Sequence, residues 1–389
     1  MNNRPFLKFG AFFVAALSVF LSLPIDKSSF LVSASSVGER PKFLDAQRRR
    51  PEASPPWSAQ NLGQTPSVAP PPDLKVAFVG DTGNGTNFQG VLQLIKDEGA
   101  DIVLHQGDFD YSGDPDAFFA TIDSILGPDF PYLASVGNHD DGSWNTGCGN
   151  PLGCYAEHLI DRMNALAIAP DEPDLNDQKY AIEYQGLKVV FVGENGNNTE
   201  FAQFISDQLT DDPHIWKICS WHKNQTAMQV GSKGDAMGWS PYENCLRLGA
   251  IIATGHEHSY HRTRTLVHTP TQMVDPACSE PNAVCVGPGR TFVFVSGLGG
   301  INIRNQDRCL PTTFPYGCNQ EWANIYTSDQ GAEYGALFIT FNVDGDPRQA
   351  RGYFKNINHE IIDEFNITVD SPGGFTIGLP LILQSPGAY

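Results

Sequence analysis

The sequence predicts an α/β fold, a four-layer α/β/β/α sandwich of two mixed β-sheets flanked by helices. Three observations carry that expectation. From Lys75 to Thr254, short apolar β-rich runs alternate with stretches of helical periodicity, the pattern of parallel strands joined by crossover helices. From Thr291 onward the runs follow one another with tight turns between them, which adds antiparallel pairing. Polar residues rich in oxygen and nitrogen donors recur just after the apolar runs, and α/β sheets collect their ligands at the carboxyl ends of strands.

Taken in order, residues 1–34 read as a secretory signal peptide. Arg4 and Lys8 precede an apolar stretch over 9–23, Pro24 ends it, and Val32, Ser33 and Ala34 offer small residues for cleavage. That stretch is short for a membrane span of ~20 residues, so the expectation is a secreted, extracytoplasmic chain with no stable membrane insertion after signal removal. Residues 35–73 carry Pro51, Pro55, Pro56, Pro66 and Pro70 to Pro72 with little apolar content, and are expected to be a disordered linker. A single folded domain is expected over 74–370 and a C-terminal tail over 371–389. Within the domain, Val76 to Val79 is a strand, and Phe88, Val91, Leu92 and Ile95 give residues 87–98 a helical stripe. Strands at 102–104 and 131–136 bracket a helix opened by Asp114, with Phe118, Phe119, Ile122 and Ile125 on one face. Helices follow at 155–168 and 200–209. Gln185-Gly186 joins strands at 180–184 and 187–192 as a hairpin. Strands at 216–221 and 250–254 complete the first half; those at 291–295, 336–343, 349–356 and 361–368 make the second.

Composition narrows the function classes. The formal charge is −19, and loss of the leader would make the chain more acidic, so its surface repels polyphosphate backbones and no nucleic-acid recognition is expected. Small phosphorylated substrates remain compatible, because a metal cluster supplies its own local positive charge. Eight cysteines in an exported chain read as disulfides. Cys148 with Cys154, Cys278 with Cys285 and Cys309 with Cys318 lie close together in loops. Cys219 and Cys245 either pair or remain as two buried thiols. Glycosylation sequons occur at Asn84, Asn197, Asn224 and Asn366; Asn84 and Asn224 lie beside the donor motifs, which leaves Asn197 and Asn366 as acceptors.

The donor motifs are Gly80-Asp81-Thr82-Gly83, Gly107-Asp108-Phe109-Asp110-Tyr111, Gly137-Asn138-His139-Asp140, His222 and Gly255-His256-Glu257-His258. Five strands should bring them to one edge of a sheet. Oxygen and nitrogen donors without a thiolate suit a pair of hard or borderline metal ions, and such pairs hydrolyse phosphate esters. One motif alone says little; five in this order say much more. The series resembles the metallophosphoesterase superfamily and, within it, the purple acid phosphatases. The wider superfamily opens with Asp-x-His, whereas here Gly83 stands where that His would be. Tyr111, three residues after Asp108, fills the vacancy as it does in purple acid phosphatases.

The resemblance implies two ions, Fe(III) plus a divalent Fe, Zn or Mn. Asp81, Asp108, Tyr111 and His258 would hold the first, and Asp108, bridging, with Asn138, His222 and His256 the second. It implies hydrolysis of phosphate monoesters by in-line attack of a metal-bound hydroxide, with His139 meeting the phosphate and the leaving group and Asp140 orienting His139. Asn138 and His139 border the substrate. Lys223 reads either as a point charge on the phosphate or as a solvated loop residue, and His261, in place of a Glu common in the family, is expected to contact the substrate. Glu257 is expected to face away from the ions by strand alternation. A phosphodiesterase or nucleotidase of the same superfamily, and a non-catalytic phosphate-binding protein, are the other readings.

Overall fold

The computed structural model describes residues 67–170, 175–193 and 198–369. The expected leader, most of the linker, the tail and Asn197 lie outside the described residues. β1 (Leu74–Val79) is an apolar run buried on both faces, as a central parallel strand must be. α1 (Thr86–Asp97) buries Phe88, Val91, Leu92 and Ile95 along one stripe and returns the chain to β2 (Ile102–His105), parallel to β1. α2 (Pro115–Ile125) opens on Asp114, whose carboxylate accepts the Ala117 N–H at 3.0 Å. β3 (Tyr132–Ala134) then lies parallel to β2. α3 (Tyr155–Ala165) stops before the expected 168, because Ala167 turns into the left-handed region at φ 54°.

β4 (Lys179–Tyr184) and β5 (Leu187–Val192) form the expected hairpin, with Gln185 and Gly186 both at positive φ. α4 (Asn198–Leu209), β6 (Trp216–Ser220), α5 (Trp239–Leu248) and β7 (Ile251–Thr254) follow, with β5, β6 and β7 parallel. Then come β8 (Tyr260–Thr263), β9 (Leu266–His268), β10 (Met273–Val274), β11 (Ala283–Val286), β12 (Val293–Ser296), β13 (Trp322–Tyr326), β14 (Gly335–Phe341), β15 (Gln349–Asn356) and β16 (Ile361–Val369). One seven-stranded sheet has the order β11-β16-β15-β14-β1-β2-β3, the other β13-β8-β12-β7-β6-β5-β4; β9 and β10 pair separately. Both large sheets are mixed.

The sheets face each other through aromatic pairs, among them Phe78 with Phe294 at 5.0 Å, Trp216 with Phe341 at 5.1 Å and Tyr260 with Phe354 at 4.2 Å between ring centres. Strand alternation divides the second sheet cleanly. Tyr180, Val189, Phe191 and Ile218 join the core between the sheets, while Ala181, Val190, Val192 and Cys219 pack under α4 and α5. Helices α1, α2 and α3 cover the first sheet. The layers are therefore α/β/β/α, as expected.

The linker ends earlier than the expected residue 73. Val68 bridges to His214, its N–H reaches Pro213 O at 3.0 Å, and its carbonyl receives the Ile215 N–H at 2.8 Å. Asn342 Nδ2 donates to Pro70 O at 2.6 Å. Among the described residues, the end of this stretch is thus an extended strap in which the Val68 and Pro70 carbonyls find donors on the domain. The three local disulfides form, and Cys219 pairs with Cys245, joining β6 to α5. Asn224 is fully buried and held by Gly255 O and Tyr242, so it is no glycan acceptor; Asn366 is exposed on β16.

Candidate metal centre

The donors gather at the carboxyl ends of β1, β2 and β3 from one sheet and of β6 and β7 from the other. A single sheet edge was expected; the centre instead lies where the ends of two sheets meet. Four of its residues hold left-handed backbone, Asp81 at φ 56°, Asp108 at 59°, Tyr111 at 60° and His256 at 71°. Such conformations cost a non-glycine residue on the order of 1–3 kcal/mol and cluster at functional sites.

Hydrogen bonds hold these turns. The Asp81 and Thr82 N–H groups reach the carbonyls of Gly107 and Asp108, each at 3.0 Å. The His256 N–H donates to Asp81 Oδ2 at 2.8 Å, linking the two sheets through a ligand. Asp140 accepts the N–H groups of Gly137 at 2.7 Å and of Asp108 and Phe109 at 2.8 Å. Gly137 has to be glycine, since a Cβ there would fall 2.1 Å from Asp108 N. His256 and His258 lie in a turn rather than a strand. The bonds Glu257 N–Gly255 O, 2.9 Å, and Ser259 N–Glu257 O, 2.7 Å, impose the alternation, and the Glu257 carboxylate lies against Gly231.

Two clusters of donors result. Tyr111 Oη lies 3.3 Å from both Asp81 Oδ1 and His258 Nε2, which are 3.5 Å from each other. Asp108 Oδ2 lies 3.2 Å from His222 Nε2, which is 3.1 Å from His256 Nδ1. Asp108 also lies close enough to Tyr111 to raise its phenol, so its carboxylate borders both clusters. Separations of this size suit ligands about 2.0–2.2 Å from a shared ion. His222 Nδ1 meets Gln106 O at 2.7 Å and His258 Nδ1 meets Asn302 O at 2.8 Å, which turns each Nε2 lone pair inward. Asn138 Oδ1 is buried without a hydrogen-bond partner. A buried acceptor left over among converging lone pairs fits a cation, so the residues suit a pair of metal ions.

The electrostatics agree. Burial lifts the Asp81 carboxyl to about 7, with Asp108 adding to it, and lifts Asp140 to about 8. Burial opposes ionisation of Asp108 too, yet the charge and hydrogen bond of His222 hold it below the usual carboxylate range. Burial, then Asp81 and Asp108, push the Tyr111 phenol far above its ordinary value. Burial and His222 drive His256 far below the usual imidazole range. Such a set of acids ionises together only around added positive charge.

Residues 74–260 match the model of the calcineurin-like phosphoesterase family. Over those residues, just under half of its length, the chain is similar to that family. The purple acid phosphatase PPD1 from seeds of yellow lupin (Lupinus luteus) is similar in fold, with a TM-score of 0.54 at 20% identity over 78% of this chain. The match covers 55% of the lupin chain, so this chain spans little more than half the length of that relative. GAP50, described as the anchor in the inner membrane complex of Plasmodium, aligns with a TM-score of 0.50 at 10% identity, covering 78% of this chain and 91% of that one. No curated protein matches the sequence. Among the described residues, no helix is long and apolar enough to cross a membrane.

Two expectations change. His261 is no substrate contact: it is wholly buried on β8, its Nδ1 3.1 Å from Ser259 Oγ and its ring edge-on to Trp322. Asp140 does not orient His139, because its oxygens are taken by backbone N–H groups and it clamps the loops after β2 and β3 instead. His139 is exposed at the mouth, its N–H on Asp108 Oδ1 at 2.9 Å and its ring 4.4 Å from that of Tyr111. Lys223 is half-buried and close enough to depress His256. Sequence reasoning missed Lys233 and Arg304. Lys233 is bonded to His256, and the Arg304 N–H meets His258 O at 2.9 Å. Only their positive charge, in an acidic chain, could have drawn attention to them.

Proposed function

We propose that this phosphoesterase hydrolyses small phosphate monoesters at a dinuclear metal centre of the purple acid phosphatase type. One observation carries the reading. Tyr111 Oη stands 3.3 Å from both Asp81 Oδ1 and His258 Nε2, and Gly83, two residues after Asp81, has no side chain to offer. Asp81, Asp108, Tyr111 and His258 would hold Fe(III), a hard ion suited to a phenolate. Asp108, Asn138, His222 and His256 would hold divalent Fe, Zn or Mn. When bound, the ions lower the pKa of water and neutralise phosphoryl oxygens.

The chain does the rest. The carbonyls of Gln106 and Asn302 fix the His222 and His258 rings. His139, open to solvent beside Tyr111, meets the phosphate and passes a proton to the leaving alkoxide. Lys223 adds positive charge for an anionic substrate. Four disulfides support an extracytoplasmic, oxidising location.

Turnover of p-nitrophenyl phosphate and of its bis-ester, with and without a chelator, tests the activity. Chelator-sensitive cleavage of the monoester in preference to the diester is expected; preference for the diester would make the enzyme a phosphodiesterase. Tyr111→Phe should abolish the visible phenolate-to-iron band while leaving the fold intact. A band that survives the substitution would remove the tyrosine from the ligand set.

A further inference from the structure

Lys233 lies in the loop between β6 and α5, eleven residues beyond His222. Its ammonium donates to the carbonyl of His256 and lies 3.0 Å from His256 Nδ1. An ammonium has donors only, so the ring nitrogen must offer it a lone pair. The same Nδ1 lies 3.1 Å from His222 Nε2 and belongs to the second donor cluster. A divalent ion bound there needs that lone pair. Ammonium and ion cannot both have it.

The loop is braced so as to keep the lysine in place. The Lys233 carbonyl accepts from Thr226 Oγ1 at 3.2 Å and Gln229 Nε2 at 2.9 Å, and Asp235 accepts the Thr226 N–H at 2.7 Å. The Arg308 guanidinium binds the carbonyls of Thr226 and Gln229 from the far side. Both hydrogen bonds of the Lys233 ammonium go to His256, none to Asp81, Tyr111 or His258.

We propose that Lys233 is a resident cation on His256 that the second metal ion has to displace, so that it weakens this position more than the first cluster, to which it makes no hydrogen bond. The proposal rests on the dinuclear reading above. Entry of the ion costs a charge-assisted hydrogen bond, and the ammonium, still near, repels the dication. Loading is therefore sequential, with the position made by Asp108, Asn138, His222 and His256 filling last.

Titration calorimetry of the metal-depleted full-length chain with Zn²⁺, with metal analysis for stoichiometry, tests this. The wild type should take up two ions in two separable steps. Lys233→Gln and Lys233→Met should tighten the weaker step by about tenfold or more, the scale of one charged hydrogen bond that no longer has to break, and change the tighter step by much less. Thr226→Val, which only loosens the brace on the Lys233 carbonyl, should tighten the same step severalfold and guards against misfolding of the lysine variants. Unaltered or weaker binding at the second step in the folded variants would overturn the proposal. Uptake of a single ion by the wild type would instead overturn the dinuclear reading.

Discussion

Asp108 borders both donor clusters, 3.2 Å from His222 and near enough to Tyr111 to raise its phenol. Removing it therefore differs in kind from removing a group at the mouth. Asp108→Ala should lose at least one ion and about three orders of magnitude or more in turnover, because metal activation of water is the main source of rate. His139→Ala should keep both ions and lower kcat by about 10²-fold, the usual scale for one acid–base group. Metal analysis beside steady-state turnover of p-nitrophenyl phosphate distinguishes the two. Acid sensitivity is set by other imidazoles. Burial depresses His105 and His261 from the ordinary 6.5 to about 3. Between those values the unfolded chain binds protons that the folded chain refuses, so stability falls as pH falls through that window. In urea unfolding from pH 7 to 4, His261→Gln should flatten the decline by about one proton relative to wild type; an unchanged slope would contradict the buried neutral imidazole. At this scale the donors that the fold brings together were legible, since their side chains announce their chemistry. Asp140 and Lys233 were not, because they act on backbone N–H groups and a ring brought close only by folding.

Among the elements, the turn after β3 sets the geometry of the centre. Its Gly137 packs against Asp108 so closely that Gly137→Ala would put a methyl group 2.3 Å from Asp108 Oδ1. The neighbour is rigid backbone and a metal ligand, so relief requires moving the ligand. We expect this variant to fold with a lowered melting temperature and to lose metal-dependent activity, read by thermal melts with and without added Zn²⁺. A variant with wild-type metal uptake would contradict the close packing. Regular elements with a clean period were readable: the hairpin around Gln185-Gly186 and the stripe of α1 follow directly from side-chain spacing. Helix α5 was not. Pro241, Glu243 and Asn244 dilute its apolar stripe, and its stability comes from the burial of Tyr242, Cys245 and Leu246 and from the disulfide to β6. The contribution of the segment after β12, which brings the Asn302 carbonyl to His258, was equally hidden because a carbonyl has no sequence signature.

For the molecule as a whole, the α/β/β/α order was legible from the alternation of strand and helix followed by consecutive strands. The division of ligands between sheets was not, since periodicity assigns a strand to a sheet only when its partners are known. That division predicts what metal removal does. The ions would tie β1, β2 and β3 to β6 and β7, so chelation should lower the melting temperature and raise amide exchange at the ends of both strand sets together. Exchange confined to one sheet would show that the centre does not couple them.

Division of the ligands also bears on the life of the chain before it is active. Asp81, Asp108, Tyr111 and Asn138 follow strands of one sheet, and His222, His256 and His258 follow strands of the other. Neither half owns a complete coordination shell. A nascent chain with one sheet formed can hold an ion only loosely, and tight uptake has to wait until the two halves have docked. Under the dinuclear reading, possession of both ions would then be a certificate of assembly, and a misdocked molecule would be inert by construction.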